Sequence, residues 1–227
     1  MKKFYKISLL FILFIFLTSY NPNKFDFILE DNSNFFKIKK IRVINNLLIE
    51  ENDVHKKLEK IYNKSIFSIK RKDVEMSLKT INFLEKVEVK KKYPDTLIVK
   101  IFETKPVGFF FKYNKKYLLD SLSNLILYDE KYKFNQLPDI FGDGAEKNLI
   151  NFLDLLENNH FPISKIKSFY YFQIGRWDLK LIDNKIIKFP YDVNSDIIKK
   201  TVELLNHSDF KNYKSIDLRV AGKIIVE

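Results

Sequence analysis

The sequence predicts an α+β protein with a single N-terminal transmembrane helix, a small β-α-α-β-β domain, and a larger, mainly antiparallel β domain with two helices. Three observations carry this prediction. A lysine cluster precedes one uncharged apolar stretch, helical and strand periodicities follow one another in a fixed order up to residue 104, and short alternating segments separated by turns dominate the remainder.

The composition limits the classes of function. The net charge is +11, but all except four of the 40 basic residues are lysines, and they are spread through every segment. A phosphate-binding stripe would favour arginine forks, so this pattern does not predict a nucleic-acid partner. The chain has no cysteine, which excludes disulfides and cysteine-based metal or nucleophile sites.

The N-terminal segment predicts a membrane anchor. Lys2, Lys3 and Lys6 precede the uncharged stretch Ile7 to Tyr20, which as a helix spans about 21 Å against a hydrocarbon core of about 30 Å. Lysines before an apolar segment stay in the cytoplasm. We therefore expect a cytoplasmic tail, a transmembrane signal anchor and a linker, at residues 1–6, 7–22 and 23–35. The residues alone leave a cleaved signal peptide open, and either alternative exports the rest of the chain.

Residues 36–104 predict a small domain in which two helices cover one face of a three-stranded sheet. Apolar residues at i, i+4 and i+7 in the segments 54–61 and 74–81 predict the helices, and a strand precedes them. Alternating apolar and charged residues on both sides of a turn at Pro94 and Asp95 predict a β-hairpin.

The segment NFLEKVEVKKKYPDTLIVKIFETKPVGFF joins a basic strand, a P-D-x-L turn, an apolar strand, a glutamate and a Pro-Val start to the next unit. In this order the motifs resemble the POTRA (polypeptide-transport-associated) domain of the FtsQ/DivIB family of bacterial division proteins. For most of the matching residues we expect structural roles in a turn and a core. They are Pro94, Asp95, Leu97, Glu103, Pro106 and Val107.

Residues 105–227 predict the C-terminal β domain. Aromatic and apolar segments around residues 109–111 and 117–119 predict a hairpin, and helical periodicity at 149–156 and 198–205 predicts two amphipathic helices. Trp177 alternates with charged neighbours and is predicted to be buried. The segment SIDLRVAGKIIVE, at residues 215–227, predicts one closing strand whose outer edge no later strand covers.

Three segments of this domain also resemble the FtsQ/DivIB family, in the family's order: LPDIFGDGA, GRWDLKLIDNKIIKFP with Arg176, Trp177 and Asp178, and IDLRVAGKIIV. With the POTRA-like domain, the resemblance covers nearly the whole chain. It implies a single-pass type II protein of the inner membrane at the division septum, with a cytoplasmic N-terminus and a periplasmic bulk, and it favours an uncleaved anchor. It further implies a scaffold that regulates septal peptidoglycan synthesis, with FtsB and FtsL as partners and, through them, FtsW and FtsI.

The closing strand is the predicted docking site, because an open strand edge can pair with an extended partner segment through backbone hydrogen bonds. Arg176 and Arg219 are expected to form exposed ion pairs with Asp178 and Asp217, of little energetic weight. The predicted partner-binding residues are Asp217, Leu218, Arg219, Val220, Lys223, Ile224, Ile225 and Val226.

No residue pattern predicts catalysis. His55, His160 and His207 lie in separate segments without metal-ligand spacing, and no G-x-S-x-G motif is present. We therefore expect no enzyme activity, no cofactor, no metal and no small-molecule substrate.

Two other functions remain as alternatives. The first is a POTRA-containing outer-membrane assembly or secretion factor, which the N-terminal anchor and the two helices after Glu103 disfavour. The second is an exported wall hydrolase, for which the sequence offers no candidate base or metal set.

Overall fold

The computed structural model describes residues 2–18, 36–134, 136–210, 212–220 and 222–227. The predicted linker, 23–35, and the end of the predicted anchor, 19–22, lie outside the described residues. The chain divides into two compact units. The first comprises Met1–Asn46, Glu50–Ile81 and Lys86–Ile101, and the second comprises Leu47–Ile49, Asn82–Glu85 and Phe102–Glu227.

Helix α1 spans Lys2–Thr18 and contains residues 7–18 of the predicted anchor. In its last turn the Thr18 hydroxyl donates a hydrogen bond to the Phe14 carbonyl at 2.8 Å. Its apolar side chains are exposed along most of its length, from 50% at Ile15 to 72% at Phe16. Among the described residues, no helix combines the length and the apolar character that crossing a membrane requires.

The first unit has the predicted order of elements. Strand β1 and helices α2 and α3 are followed by the hairpin β2–β3, and the strand order in the small sheet is β1-β3-β2, with β1 parallel to β3. The bounds are Lys40–Ile44 for β1, Glu51–Lys57 for α2, Arg71–Leu78 for α3, Leu84–Lys92 for β2 and Thr96–Glu103 for β3.

Helical spacing correctly identified the buried faces of α2 and α3. Val54 of α2 and Val74 and Leu78 of α3 are buried. Leu58 and Ile61 are buried as well, but they lie just beyond the end of α2, and Ile81 lies beyond the end of α3 and is half-buried, so both helices are shorter than predicted. Helix α2 contacts β1 and α3. In β3, Leu97, Val99 and Ile101 are buried, because alternation places every second side chain on the same face of the sheet. The hydrophobic face of each short helix is therefore what fixes it on the sheet.

The second unit is built on a larger sheet. Within the described residues its strand order is β12-β11-β10-β9-β8-β7-β4-β5-β6, and its helices are α4 and α5. The bounds are Pro106–Lys112 (β4), Lys115–Asp120 (β5), Leu125–Leu127 (β6), Asp139–Phe141 (β7), Ala145–Asn158 (α4), Ile166–Phe172 (β8), Arg176–Leu181 (β9), Ile186–Lys188 (β10), Ser195–Asn206 (α5), Ser215–Asp217 (β11) and Ile225–Val226 (β12).

Most strand pairs of this sheet are antiparallel, as predicted, but β7 pairs parallel with both β4 and β8, and β10 pairs parallel with β11. Helices α4 and α5 are the crossovers of the β7–β8 and β10–β11 connections, since each lies in sequence between two parallel neighbours. Periodicity predicted the two helices but not this role, because the spacing of apolar residues contains no information on strand pairing.

The core of the second unit lies between α4, α5 and one face of the sheet. Trp177 is 3% exposed and stacks on Phe152 of α4 at a centroid distance of 5.1 Å and an interplanar angle of 1°. Phe169 meets the indole edge to face at 6.1 Å. The predicted burial of Trp177 is confirmed, and its neighbour Asp178 consequently points to the opposite face of β9.

Candidate partner-binding edge

The closing segment is two short strands and not one, which corrects the sequence prediction. β11 pairs with β10, and β12 returns antiparallel to β11 with Ile216 opposite Val226. Gly222 has φ +73°, and the Lys223 N–H donates to the Val220 carbonyl at 3.1 Å. A left-handed residue is readily supplied by glycine, so Gly222 permits the reversal that alternation alone could not reveal.

Among the residues that the structure describes, strand β12 forms the edge of the large sheet at this end. Ser215 and Glu227 exchange both backbone hydrogen bonds, at 3.1 and 3.3 Å. In an antiparallel ladder the next pair, Ile216 with Val226, is then of the non-hydrogen-bonded type. The N–H and C=O of Val226 therefore point away from β11, toward the free side of the edge.

Asp217 and Arg219 form a clamp at the end of β11. The Asp217 carboxylate accepts the backbone N–H of Arg219 at 3.0 Å, and both of its oxygens accept the guanidinium Nε at 2.9 Å. The guanidinium Nη2 donates as well. These hydrogen bonds from Arg219 hold the pKa of Asp217 below its ordinary value, although burial of the carboxyl acts in the opposite direction.

A row of alternating charges crosses the neighbouring strands. Lys188 of β10 is in register with Asp178 of β9 and with Asp217 of β11. Arg176 lies 3.3 Å from the Asp178 carboxylate through Nε, and its guanidinium stacks on the Phe172 ring at 3.9 Å. Burial raises the pKa of Asp178, against the lowering effect of Arg176, Arg219 and Lys188.

The two ion pairs are less exposed than the sequence predicted. Asp178 is 9% exposed and Asp217 is 8% exposed, while the side chain of Arg219 remains 42% exposed. Each carboxylate is therefore shielded from water by the sheet. Arg219 lies at the surface, whereas the Arg176 side chain is only 17% exposed. The hydrogen bonds of Arg219 to the shielded Asp217 carboxylate contribute more than a fully exposed pair does, whereas Arg176 and Asp178 form an ion pair without a hydrogen bond between Nε and Oδ1.

A groove of about 670 Å³ lies beside this edge, between the start of α5 and the loop that joins β11 to β12. Its charged lining is mostly basic, with Arg176, Lys200, Arg219 and Lys223 against one acidic residue, Asp192. Its apolar lining includes Ile174, Leu218, Val220 and Ile224. The chemistry suits an extended segment that carries both apolar and acidic side chains.

The structure places Leu218, Arg219, Val220, Lys223 and Ile224 in the groove lining. Ile225 and Val226 form β12. The Asp217 carboxylate accepts a hydrogen bond from the Arg219 guanidinium. Arg176 joins them from β9, which sequence distance did not reveal. Lys200 was missed, because one lysine on the polar face of an amphipathic helix is ordinary in this sequence.

The structure places the predicted motif residues Pro94, Asp95, Leu97 and Pro106 in and around the β-hairpin and at the start of β4. The Asp95 carbonyl accepts the backbone N–H of Lys39 at 2.9 Å, which ties the turn after β2 to the segment before β1. The Tyr93–Pro94 peptide is cis. Leu97 is fully buried, and Pro106 begins β4 opposite Asp120.

Glu103 at the end of β3 accepts hydrogen bonds from three backbone N–H groups. Its carboxylate accepts the N–H groups of Leu47, Leu48 and Ile49, at 2.8 to 3.0 Å. The glutamate thereby orders the loop before α2. A carboxylate bound to three backbone donors is a structural clamp, and this arrangement offers no free base for catalysis.

Within the described residues, no group of three His, Asp or Glu side chains comes together in a way that could hold a metal ion.

Comparison with known proteins gives one family match and several relatives. The family described as "POTRA domain, FtsQ-type" matches residues 36–104. The chain is 27% identical over 197 residues to "Cell division protein FtsQ" of Rickettsia typhi, covering 85% of this chain and 73% of that protein. It is 28% identical over 200 residues to the protein of the same name from Rickettsia prowazekii, with coverages of 85% and 72%.

More distant relatives carry the same name. The "Cell division protein FtsQ" of Rhizobium meliloti is 25% identical over 199 residues, covering 85% of this chain and 63% of that protein. Among solved structures, the major extracytoplasmic domain of the cell division protein DivIB from Geobacillus stearothermophilus matches with 11% identity, over 47% of this chain and 89% of that chain. Its TM-score of 0.29 is too low to establish a common fold.

Proposed function

We propose that this chain is a cell division protein of the FtsQ/DivIB family, a membrane-anchored, non-enzymatic scaffold that regulates septal peptidoglycan synthesis by binding other division proteins. The proposal is supported by the FtsQ-type POTRA match of residues 36–104 and by the relatives named cell division protein FtsQ. The single observation that carries the scaffold role is the edge strand β12 beside a basic and apolar groove. Its partners in this proposal are FtsB and FtsL and, through them, FtsW and FtsI.

The proposed anchor is the segment 7–22. Its support is the lysine cluster before it in the sequence and the exposure of the apolar side chains of α1 in the described part, residues 7–18. Exposed apolar side chains in such density are unfavourable in water and favourable in lipid. In this proposal the N-terminus stays in the cytoplasm, residues 36–104 and 105–227 are two periplasmic domains, and the protein acts at the division septum of the inner membrane.

The proposed contact is strand addition at β12. A partner strand that pairs with β12 would form hydrogen bonds with the outward-pointing N–H and C=O of Val226. Because β12 is already part of the sheet, its backbone has the twist and spacing that pairing with a further strand requires. Every second side chain of that partner would face the same side of the sheet. Backbone bonds of this kind contribute about 1 kcal/mol each, so a short ladder needs side-chain contacts to reach useful affinity.

The groove provides those contacts in the proposal. Apolar partner side chains would pack against Leu218 and Ile224, and acidic ones would lie near Arg219 and Lys223. Because Asp217 already holds one side of the Arg219 guanidinium, the arginine is pre-oriented and loses less side-chain entropy when it binds.

Depletion of the protein in its own cell tests the division role. We expect filaments blocked in constriction, rescued by the wild-type chain and not by a chain in which β12 is removed. Cells that divide normally without the protein would contradict the proposal. Cell fractionation separates it from the alternative of an outer-membrane assembly factor, since recovery in the outer membrane would favour that alternative.

A further inference from the structure

Three aromatic side chains form a partly exposed cluster at one end of the first unit. The Phe67 ring lies between those of Phe36 and Tyr93, with centroid distances of 5.0 and 5.3 Å. Phe67 is 42% exposed and Tyr93 is 55% exposed. We call Phe36, Phe67 and Tyr93 the aromatic end cluster. Contiguous apolar surface of this kind commonly marks a binding surface, whereas an isolated exposed residue does not.

Three chain segments meet at the aromatic end cluster, and all are basic. Lys37 forms a β-bridge with Ser65, and the Lys91 ammonium donates to the Phe67 carbonyl at 3.2 Å. The segments 36–40, 62–69 and 90–93 contain no acidic residue. Their lysines are Lys37, Lys39, Lys40, Lys64, Lys90, Lys91 and Lys92. Most of these side chains are exposed, so the three segments that form the cluster carry a net positive charge at the surface.

We propose that the aromatic end cluster rests on the surface of an anionic phospholipid bilayer. Aromatic rings favour the headgroup level of a membrane, where their apolar faces leave water and their edges stay in a polar layer. Lysines beside them gain from the negative potential of anionic lipids. The two features together match this occupant in both polarity and charge.

The position of the cluster along the chain supports the same occupant. Phe36 is the first described residue after α1, and residues 19–35 connect Thr18 to it. Even fully extended, that connection reaches at most about 60 Å. The inference therefore rests on the proposed anchor, which would hold the cluster near the bilayer and raise its effective concentration there.

The absence of cysteine in the sequence allows a site-specific test in the full chain. Ser68→Cys places a fluorescent label beside Phe67, and Ile44→Cys places one at the other end of β1, where the native side chain is 40% exposed. Both proteins are reconstituted in vesicles of phosphatidylglycerol and phosphatidylethanolamine that contain brominated lipid. We expect quenching of the label at position 68 to exceed that at position 44 by about twofold or more.

Two variants separate the contributions. Phe67→Ser with Tyr93→Ser removes the exposed rings, and Lys64→Glu with Lys92→Glu reverses charge at exposed positions. Each should reduce the quenching at position 68 to the level seen at position 44, with an unchanged circular dichroism spectrum. Vesicles of phosphatidylcholine alone should reduce it as well, because they lack the anionic headgroup.

Carbonate extraction of the same vesicles reports the anchor independently of the label. A chain that resists extraction but shows equal quenching at positions 68 and 44 would overturn this inference and leave the proposed anchor intact. The same result is expected if the cluster instead binds a protein, so that outcome also counts against a lipid surface. A chain released by carbonate would overturn the anchor, and the inference with it.

Discussion

Asp217 accepts hydrogen bonds from both the backbone N–H and the guanidinium of Arg219. The buried carboxylate of Asp217 thereby fixes the orientation of the Arg219 side chain. The pair lies where strands β11 and β12, at the edge of the large sheet, meet the groove. It therefore links the stability of this end of the fold to the proposed binding of a partner.

Replacing Asp217 by Asn should destabilise the fold in a pH-dependent way. The pKa of Asp217 is lowered in the folded state, so its charged form stabilises the fold above the ordinary carboxyl pKa of about 4, and that contribution is lost as the pH falls through the lowered value. We expect Asp217→Asn to reduce the free energy of unfolding by about 1–3 kcal/mol at pH 7. Urea unfolding at a series of pH values should show the difference shrinking toward zero in acid.

Asp178 offers a matched control, because its pKa is shifted in the direction opposite to that of Asp217. Burial raises its pKa, so the folded state favours the neutral carboxyl, and its charged form costs stability as the pH rises through the raised pKa. Asp178→Asn should therefore leave the fold as stable as wild type at pH 7, or more stable, and the difference should vanish in acid. A loss at pH 7 equal to that of Asp217→Asn would contradict this assignment.

Proline at two adjacent positions of β12 should distinguish the free side of the edge from the paired side. Val226→Pro removes an N–H that points away from β11, whereas Ile225→Pro removes one that faces Asp217 in the ladder. We expect Val226→Pro to retain the stability of the fold and to weaken binding of the proposed partner FtsB about tenfold or more, which corresponds to a loss of about 1–2 kcal/mol. Ile225→Pro should lower the unfolding free energy as well.

Isothermal titration of purified FtsB, with circular dichroism of each variant, provides the measurement. Unchanged FtsB affinity in a folded Val226→Pro protein would rule out strand addition at this edge.

Arg219→Lys should separate charge from hydrogen-bond geometry. Lysine keeps the positive charge at the groove but cannot reproduce the fork that Arg219 forms with Asp217. We expect FtsB affinity to fall about threefold to tenfold in Arg219→Lys and further in Arg219→Ala. Arg71→Ala, which removes an exposed pair with Glu75 on α3, is the control and should leave the affinity unchanged. An equal loss in the control would show that the effect reflects net charge alone.

Replacing Glu103 by Gln should loosen the loop before α2. The amide keeps the shape of the side chain but weakens its hydrogen bonds to the N–H groups of residues 47–49. We expect a loss of about 1–3 kcal/mol in unfolding free energy, and faster amide exchange at residues 47–49. Glu85→Gln, at an exposed position of β2, should change the unfolding free energy by less than about 0.5 kcal/mol.

Local patterns predicted much of this fold correctly. The spacing of Val54 with Leu58 and of Val74 with Leu78 identified the buried faces of two helices, and the alternation around Trp177 placed the indole in the core. These predictions succeeded because helical and strand periodicities are properties of neighbouring residues, and burial of one face follows directly from them.

The closing segment shows where such reasoning fails. Alternation in residues 215–220 and the β-branched run at 224–226 predicted one strand, yet the chain turns at Gly222 and the two parts pair with each other. A strand and a tight hairpin have the same alternation on either side of the turn, so the sequence could not distinguish them. The predicted partner-binding residues stay a prediction, now for a two-residue edge strand and the adjacent groove.

The amino-acid sequence alone was sufficient to predict the α+β class, the order of elements in the first unit, the buried tryptophan and the resemblance to FtsQ-type POTRA proteins. Tertiary structure decided that β7 and β10 have parallel neighbours, that Arg176 and Lys200 meet Arg219 around one groove, and that Asp178 and Asp217 are shielded from water. The reason is physical: periodicity determines which face of an element is apolar, whereas strand pairing, burial of charge and the lining of a groove depend on contacts between residues that are far apart in the chain.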